Sequence, residues 1–219
     1  MPPFEALRGM EIIYLFDPLC GWCYGFGPQM VQFAQSHPNF TYTVLSGGMV
    51  TGERVGPLSQ IAPYIREGVQ RVESLSGVKF GQTFLNDLHG AGQSHMDSTP
   101  PTKAFVILKA FLPQQAVALA HAVQSVFYAD GLDLSVPESY AGLCASFDID
   151  YAAFAAKFNS IDYHLAAKDE FKEAARYGVS GYPTVVVRFG QQYFMLAHGF
   201  TKSDQLSATL QRIQEKEKL

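Results

Sequence analysis

Cysteine is scarce in this chain: three in 219 residues, too few to staple a small secreted scaffold. Metal-ligand patterns are missing too. A structural zinc site takes four ligands, and the six histidines (His37, His89, His95, His121, His164, His198) show no H-x-x-x-H spacing. The sequence therefore implies no metal and no organic cofactor. Charge is sparse: 16% of residues, with 16 Lys and Arg against 20 Asp and Glu, net −4. No basic face or run is present, which excludes a nucleic-acid partner. No apolar run reaches the ~18 residues of a membrane span. Residues 1–9 lack the basic start and apolar core of a secretory leader, so the expected compartment is cytoplasmic. There are no internal repeats or low-complexity segments.

Apolar residues make up 47%, enough for a sizeable core in one large domain or one domain plus an insertion. Two of the three cysteines stand together in Cys20-Gly21-Trp22-Cys23. The motif comes after a β-branched apolar run, residues 10–16, and opens a helical segment, residues 22–35. A C-x-x-C at such a junction can close a small disulfide ring, and helix N-terminal amides favour a thiolate there. The thiolate is the nucleophile of thiol–disulfide exchange, and the second cysteine can attack a mixed disulfide formed on the first. Beside a βαβ pattern this spacing reads as a redox motif.

A second signal is Gly178-Val179-Ser180-Gly181-Tyr182-Pro183-Thr184, running into Val185-Val186-Val187. Proline cannot donate to a β-ladder and is tolerated at a strand's first residue, and X-Pro bonds are the ones that adopt cis. Alone the proline reads as an ordinary turn. Beside the upstream C-x-x-C it is expected to be cis, leaving the Tyr182 backbone free to pair with an extended substrate.

The stretch Asp17-Pro18-Leu19-Cys20-Gly21-Trp22-Cys23-Tyr24 resembles the D-P-x-C-x-W-C-Y of FrnE-like and predicted disulfide-isomerase members of the DsbA-like branch of the thioredoxin superfamily. Residues 178–184 resemble that family's G-V-x-G-x-P-T segment. The resemblance implies an α/β thioredoxin-like fold with a large inserted helical subdomain, and a thiol–disulfide oxidoreductase or isomerase acting on protein or small-molecule thiols. It implies Cys20 as exposed nucleophile, Cys23 as buried resolving thiol, Pro183 as the cis-proline facing them, and Pro28 as the helix-kinking proline. Many relatives carry a buried acid six residues before the first cysteine; here that position is Tyr14. A water, Asp17, expected on the loop, or a group from the insertion could substitute. The alternatives are a glutathione-using kappa-type transferase or isomerase, whose members typically replace the first cysteine by serine, and a non-catalytic accessory protein.

Strand 10–16, helix 22–35 and strand 40–46 form the first βαβ unit. Residues 52–159 read as helices without strands, giving boundaries of 1–51 and 160–219 for the thioredoxin-like part and 52–159 for the insertion. Leu58, Ile61, Ile65, Val69 and Val72 recur at helical spacing. Helix 160–177 ends at Gly178; strands 183–188 and 192–197 form a hairpin, and Ser203 is expected to cap the last helix. Trp22, inside the motif, either shapes the substrate groove or packs on the insertion. Tyr182 and Pro183 are the other candidate substrate-binding residues. Cys144, on an apolar helical face, reads as a core residue. His89, His95 and Asp97 read as a polar loop, Gly47-Gly48-Met49 as a loop that could border the site, and Ser98-Thr99 as insertion surface near it.

Overall fold

A computed structural model describes residues 10–91 and 94–217. Residues 1–9, read above for a leader, and the last two of the solvated tail lie outside the described residues. The main sheet has the order β2-β1-β5-β6. β1 (Met10–Phe16) runs parallel to β2 (Thr41–Ser46), and the crossover between them is α1 (Gly21–Ser36). β5 (Thr184–Phe189) joins the other side of β1 antiparallel, and β6 (Gln192–His198) completes the hairpin.

β1 is apolar on both faces because both are covered. Ile12, Tyr14 and Phe16 face the larger core with Cys23, Phe26 and Met30 of α1. Ile13 and Leu15 face the other way, toward Val186 and Ala174. Ala174 belongs to α8 (Ile161–Ala175). Strand alternation thus assigns one layer of helix to each face. α9 (Ser203–Lys216) packs on α1 and β6.

Between β2 and α8 lies the helical block. It holds α2 (Ala62–Ser76), α3 (Gln82–Asn86), α4 (Thr99–Phe111), α5 (Ala116–Tyr128), α6 (Ala141–Ser146) and α7 (Tyr151–Phe158). α2 closes on Gly77 at φ 80°, the left-handed conformation that favours glycine. Pro100 and Pro101 sit in the first turn of α4, where the missing N–H groups cost nothing.

Three expectations change. The block does contain a strand pair, β3 (Gly56–Pro57) with β4 (His95–Met96); two-residue strands carry no periodicity to read, and His95 lies in one of them rather than in a loop. Leu58 belongs to a separate 3₁₀ turn before α2. Ser203 is the first residue of α9 rather than its cap: the Gln205 side chain accepts from the Lys202 amide, while the Ser203 amide donates to Gln29. Among the described residues, no helix is long and apolar enough to cross a membrane.

Candidate active site

Cys20 is the N-cap of α1, with extended φ/ψ of −90° and 108°. Its sulfur therefore lies at the helix start, where the amides of the first turn are unpaired. The Cys23 amide donates to Cys20 Sγ at 3.4 Å, and the Cys20 thiol donates to the Tyr182 carbonyl at 3.5 Å. The first turn carries no acidic side chain to compete with a thiolate. The Tyr182–Pro183 bond is cis. Chain segments 162 residues apart thus meet at one sulfur.

Cys20 is less open than the resemblance implied. It is 6% exposed, recessed in the wall of a cavity that Trp22 and Tyr182 also line, while Cys23 is fully buried. Burial pushes the Cys23 thiol well up, with Cys20 next in effect and the Asp17 carboxylate adding to the rise. The Asp17 backbone opposes it.

Asp17 is where the local sequence and the fold diverge most. It stands on the loop after β1, yet it is 0% exposed. Its carboxylate accepts from the Leu19 amide at 2.9 Å, the Met49 amide at 2.7 Å and the Ser98 hydroxyl at 3.0 Å. Those donors come from the motif loop, the segment after β2 and the residue before α4. Burial outweighs these bonds and raises the carboxyl from 3.8 to about 6. Gly47-Gly48-Met49 does border the site, through Met49 and through Gly47, whose carbonyl accepts from the Tyr182 hydroxyl at 3.2 Å. Ser98, expected on the surface, is buried: its hydroxyl donates to this carboxylate and accepts from the Val50 amide.

α5 holds the motif loop from behind. Gln124 Nε2 donates to the carbonyls of Asp17 at 3.1 Å and Cys20 at 3.4 Å, and the Tyr128 hydroxyl donates to Leu19 at 2.6 Å. Sequence reasoning missed both residues. Their signal is present: Gln124 and Tyr128 are polar groups at i, i+4 spacing on a mostly apolar helix, and a buried polar group must find a partner. Tyr14, at the position of the relatives' acid, packs between Phe16 and Phe26, and its hydroxyl has no partner.

The cavity beside Cys20 measures about 300 Å³. The half-buried Trp22 and Tyr182 line it, joined by α2; Pro183 stands at the next position, its carbonyl accepting from the Gly199 amide. Cys144 contributes nothing to it. That thiol is buried in α6, and burial pushes it up to about 11. His89, His95 and Asp97 form no metal cluster: among the described residues no three His, Cys, Asp or Glu side chains could hold one.

No curated protein matches the sequence significantly. Among solved structures, a protein of Nitrosomonas europaea described as a candidate disulfide isomerase superposes with a TM-score of 0.79 at 23% identity, over 95% of this chain and 98% of that one. The cytosolic disulfide reductase DsbM of Pseudomonas aeruginosa gives 0.78 at 24% identity, over 93% and 98%. A 2-hydroxychromene-2-carboxylate isomerase gives 0.63 at 17% identity, over 94% and 98%. These likenesses concern the fold. The model of the DSBA-like thioredoxin domain matches residues 11–211, so the chain belongs to the DSBA-like thioredoxin-domain family and is a thiol–disulfide oxidoreductase by class.

Proposed function

We propose that Cys20 and Cys23 are the redox pair, with Cys20 opening exchange and Cys23 completing it. The observation that carries this reading is the Cys20 sulfur at the start of α1, facing the Cys23 amide and the Tyr182 carbonyl. A thiolate at that point gains from the amide and from the helix dipole. It attacks one sulfur of a substrate disulfide, expels the other as a thiolate and leaves a mixed disulfide. Cys23 then attacks Cys20, releases the second substrate thiolate and leaves the protein oxidised. Two electrons pass to the substrate; the reverse sequence oxidises a dithiol.

Cys23 is buried and holds its proton tightly, so the second step needs an acceptor. Asp17 takes that role: its buried carboxyl, raised to about 6, is the acid nearest the motif in sequence, and its charge acts on the Cys23 thiol. Trp22, Tyr182 and Pro183 bind the substrate around the sulfur. The helical block 52–159 is a subdomain that sets substrate choice, and the thioredoxin-like part, 1–51 with 160–219, performs the chemistry. The working compartment is the reducing cytosol, in keeping with the Pseudomonas reductase described as cytosolic.

Insulin reduction by wild type, Cys20→Ser and Cys23→Ser tests the assignment. Cys20→Ser is expected to lose exchange, and Cys23→Ser to accumulate a mixed disulfide visible by mass spectrometry. Glutathione conjugation surviving in Cys20→Ser would replace this reading with the kappa-type one, and a wild type inert in both assays would leave the accessory role.

A further inference from the structure

Part of the cavity beside Cys20 is lined by Ile61 and by a stripe of α2: Tyr64 and Ile65, then Gly68, then Arg71 and Val72. The spacing is that of one helix face, which runs from the buried Val72 to Tyr64 at 81% exposed. Its central position is a glycine. Mid-helix glycine costs stability relative to alanine, so its presence needs a reason. Backbone conformation supplies none, because Gly68 has no left-handed φ. Packing supplies none either. A Cβ at Gly25 of α1 would meet Val72 at 2.6 Å and one at Gly27 would meet His121 at 2.2 Å, but a Cβ at Gly68 meets nothing within 4 Å. What a side chain there would take is the volume of the cavity.

We propose that Gly68 keeps open a binding pocket for the group attached to the substrate's sulfur, and that the occupant is a small uncharged disulfide bearing an aromatic ring. The inference rests on Cys20 being the attacking thiol. Three observations select the occupant. The cavity, about 300 Å³, lies at the small end of ligand sites. Cys20 is only 6% exposed within its wall, so a small disulfide reaches its sulfur more readily than one held on a rigid folded surface. The lining is aromatic, with Trp22, Tyr64, Phe80, Tyr128 and Tyr182 offering faces and edges to a ring. Its charged side chains are Glu67 and Arg71, one of each sign and both exposed, which gives no preference for an ion.

In the reaction, the Cys20 thiolate attacks the sulfur carrying the ring, and the other half leaves as a thiolate. Cys23 then displaces the ring-bearing thiolate. The reduced protein supplies both electrons, so a single turnover needs no further reductant.

The test uses pre-reduced wild type, Gly68→Leu and Gly68→Ala in single turnovers with dithiodipyridine, hydroxyethyl disulfide and insulin. Each variant is compared with wild type on the same substrate, which cancels the intrinsic reactivity of the disulfides. Gly68→Leu is expected to slow dithiodipyridine about tenfold, the scale on which apolar pockets discriminate, and hydroxyethyl disulfide far less. An unshifted circular dichroism spectrum and a retained cooperative thermal transition report an intact fold, and Gly68→Ala should show a smaller loss of the same sense. Equal losses on both small disulfides, or none, overturn the pocket while leaving the Cys20–Cys23 assignment standing. A loss confined to insulin overturns the small-molecule occupant in favour of a polypeptide side chain. A wild type that reduces none of the three removes the oxidoreductase reading, and the pocket with it.

Discussion

Replacing Asp17 by asparagine separates the charge of the buried carboxylate from its hydrogen bonds. The shape is kept, and one oxygen still accepts from Leu19 and Ser98. The new amide group meets the Met49 amide donor head-on, which costs about 1–3 kcal/mol at every pH. The charge behaves differently. The carboxyl rises from 3.8 to about 6 on folding, which corresponds to about 3 kcal/mol. Below about pH 4 it is protonated in both the folded and the unfolded chain and has no effect. Between about pH 4 and pH 6 the unfolded chain releases the proton while the folded chain keeps it, so wild-type stability falls as pH rises. Above about pH 6 the full amount is lost. Asparagine has no such dependence. The stability of Asp17→Asn relative to wild type should therefore rise by about 2–3 kcal/mol between about pH 4 and pH 7.5, whatever the fixed cost of the misplaced amide. Urea unfolding of both proteins at the two pH values measures this by linear extrapolation. A difference constant to within about 0.5 kcal/mol would refute the buried-charge account, that value being about the error of the extrapolation. The same variant should resolve a Cys20 mixed disulfide more slowly and lack the pH dependence near 6 expected of wild type.

Gly68→Ala should stabilise the protein by about 0.5–1 kcal/mol, since α2 gains helix propensity and the methyl meets no neighbour; thermal unfolding reads it as a raised Tm. Lys109 bonds both Glu170, at 2.6 Å, and the Val44 carbonyl, at 3.0 Å, where α4 meets β2 and α8. Lys109→Met should cost on the order of 2–3 kcal/mol in urea unfolding, because Glu170 is left buried and unpaired; adding Glu170→Gln should restore part of it. Gly27→Ala should destabilise by about 1–3 kcal/mol, its methyl colliding with the His121 ring. Iodoacetamide at neutral pH should leave Cys144 unlabelled in the native protein, and peptide mapping after oxidation should find one disulfide, between Cys20 and Cys23.

The parts of this molecule legible in the sequence are those whose signal is local. β1 announces itself by a β-branched run, α1 by the helical segment that the motif opens, and the Thr184–Phe189 and Gln192–His198 hairpin by its turn at Gly190. The spacing of Cys20-Gly21-Trp22-Cys23 is what suggests the proposed redox pair, and the proline at a strand entrance is what signals the cis bond before Pro183. The helical character of the block 52–159 comes from periodicity, although the two-residue strands β3 and β4 within it do not.

What only the tertiary structure decided is which of these residues share an environment. Asp17 reads as a loop residue until the segment after β2 and the start of α4 close over it; desolvation by those distant segments, not anything in Asp17-Pro18-Leu19, makes it a weak acid. Tyr14 lies where a relative's acid would be, and its ring fills the space between Phe16 and Phe26, so the site takes its carboxylate from three residues further along. Gln124 and Tyr128 look like interruptions of an apolar helix until the motif loop's carbonyls come to rest against them. Gly68 is one glycine among 19 until it is seen to line the same cavity as Cys20. Burial, cavity volume and hydrogen-bond partnership are set by atoms tens of residues apart in the chain, and local patterning carries no record of them.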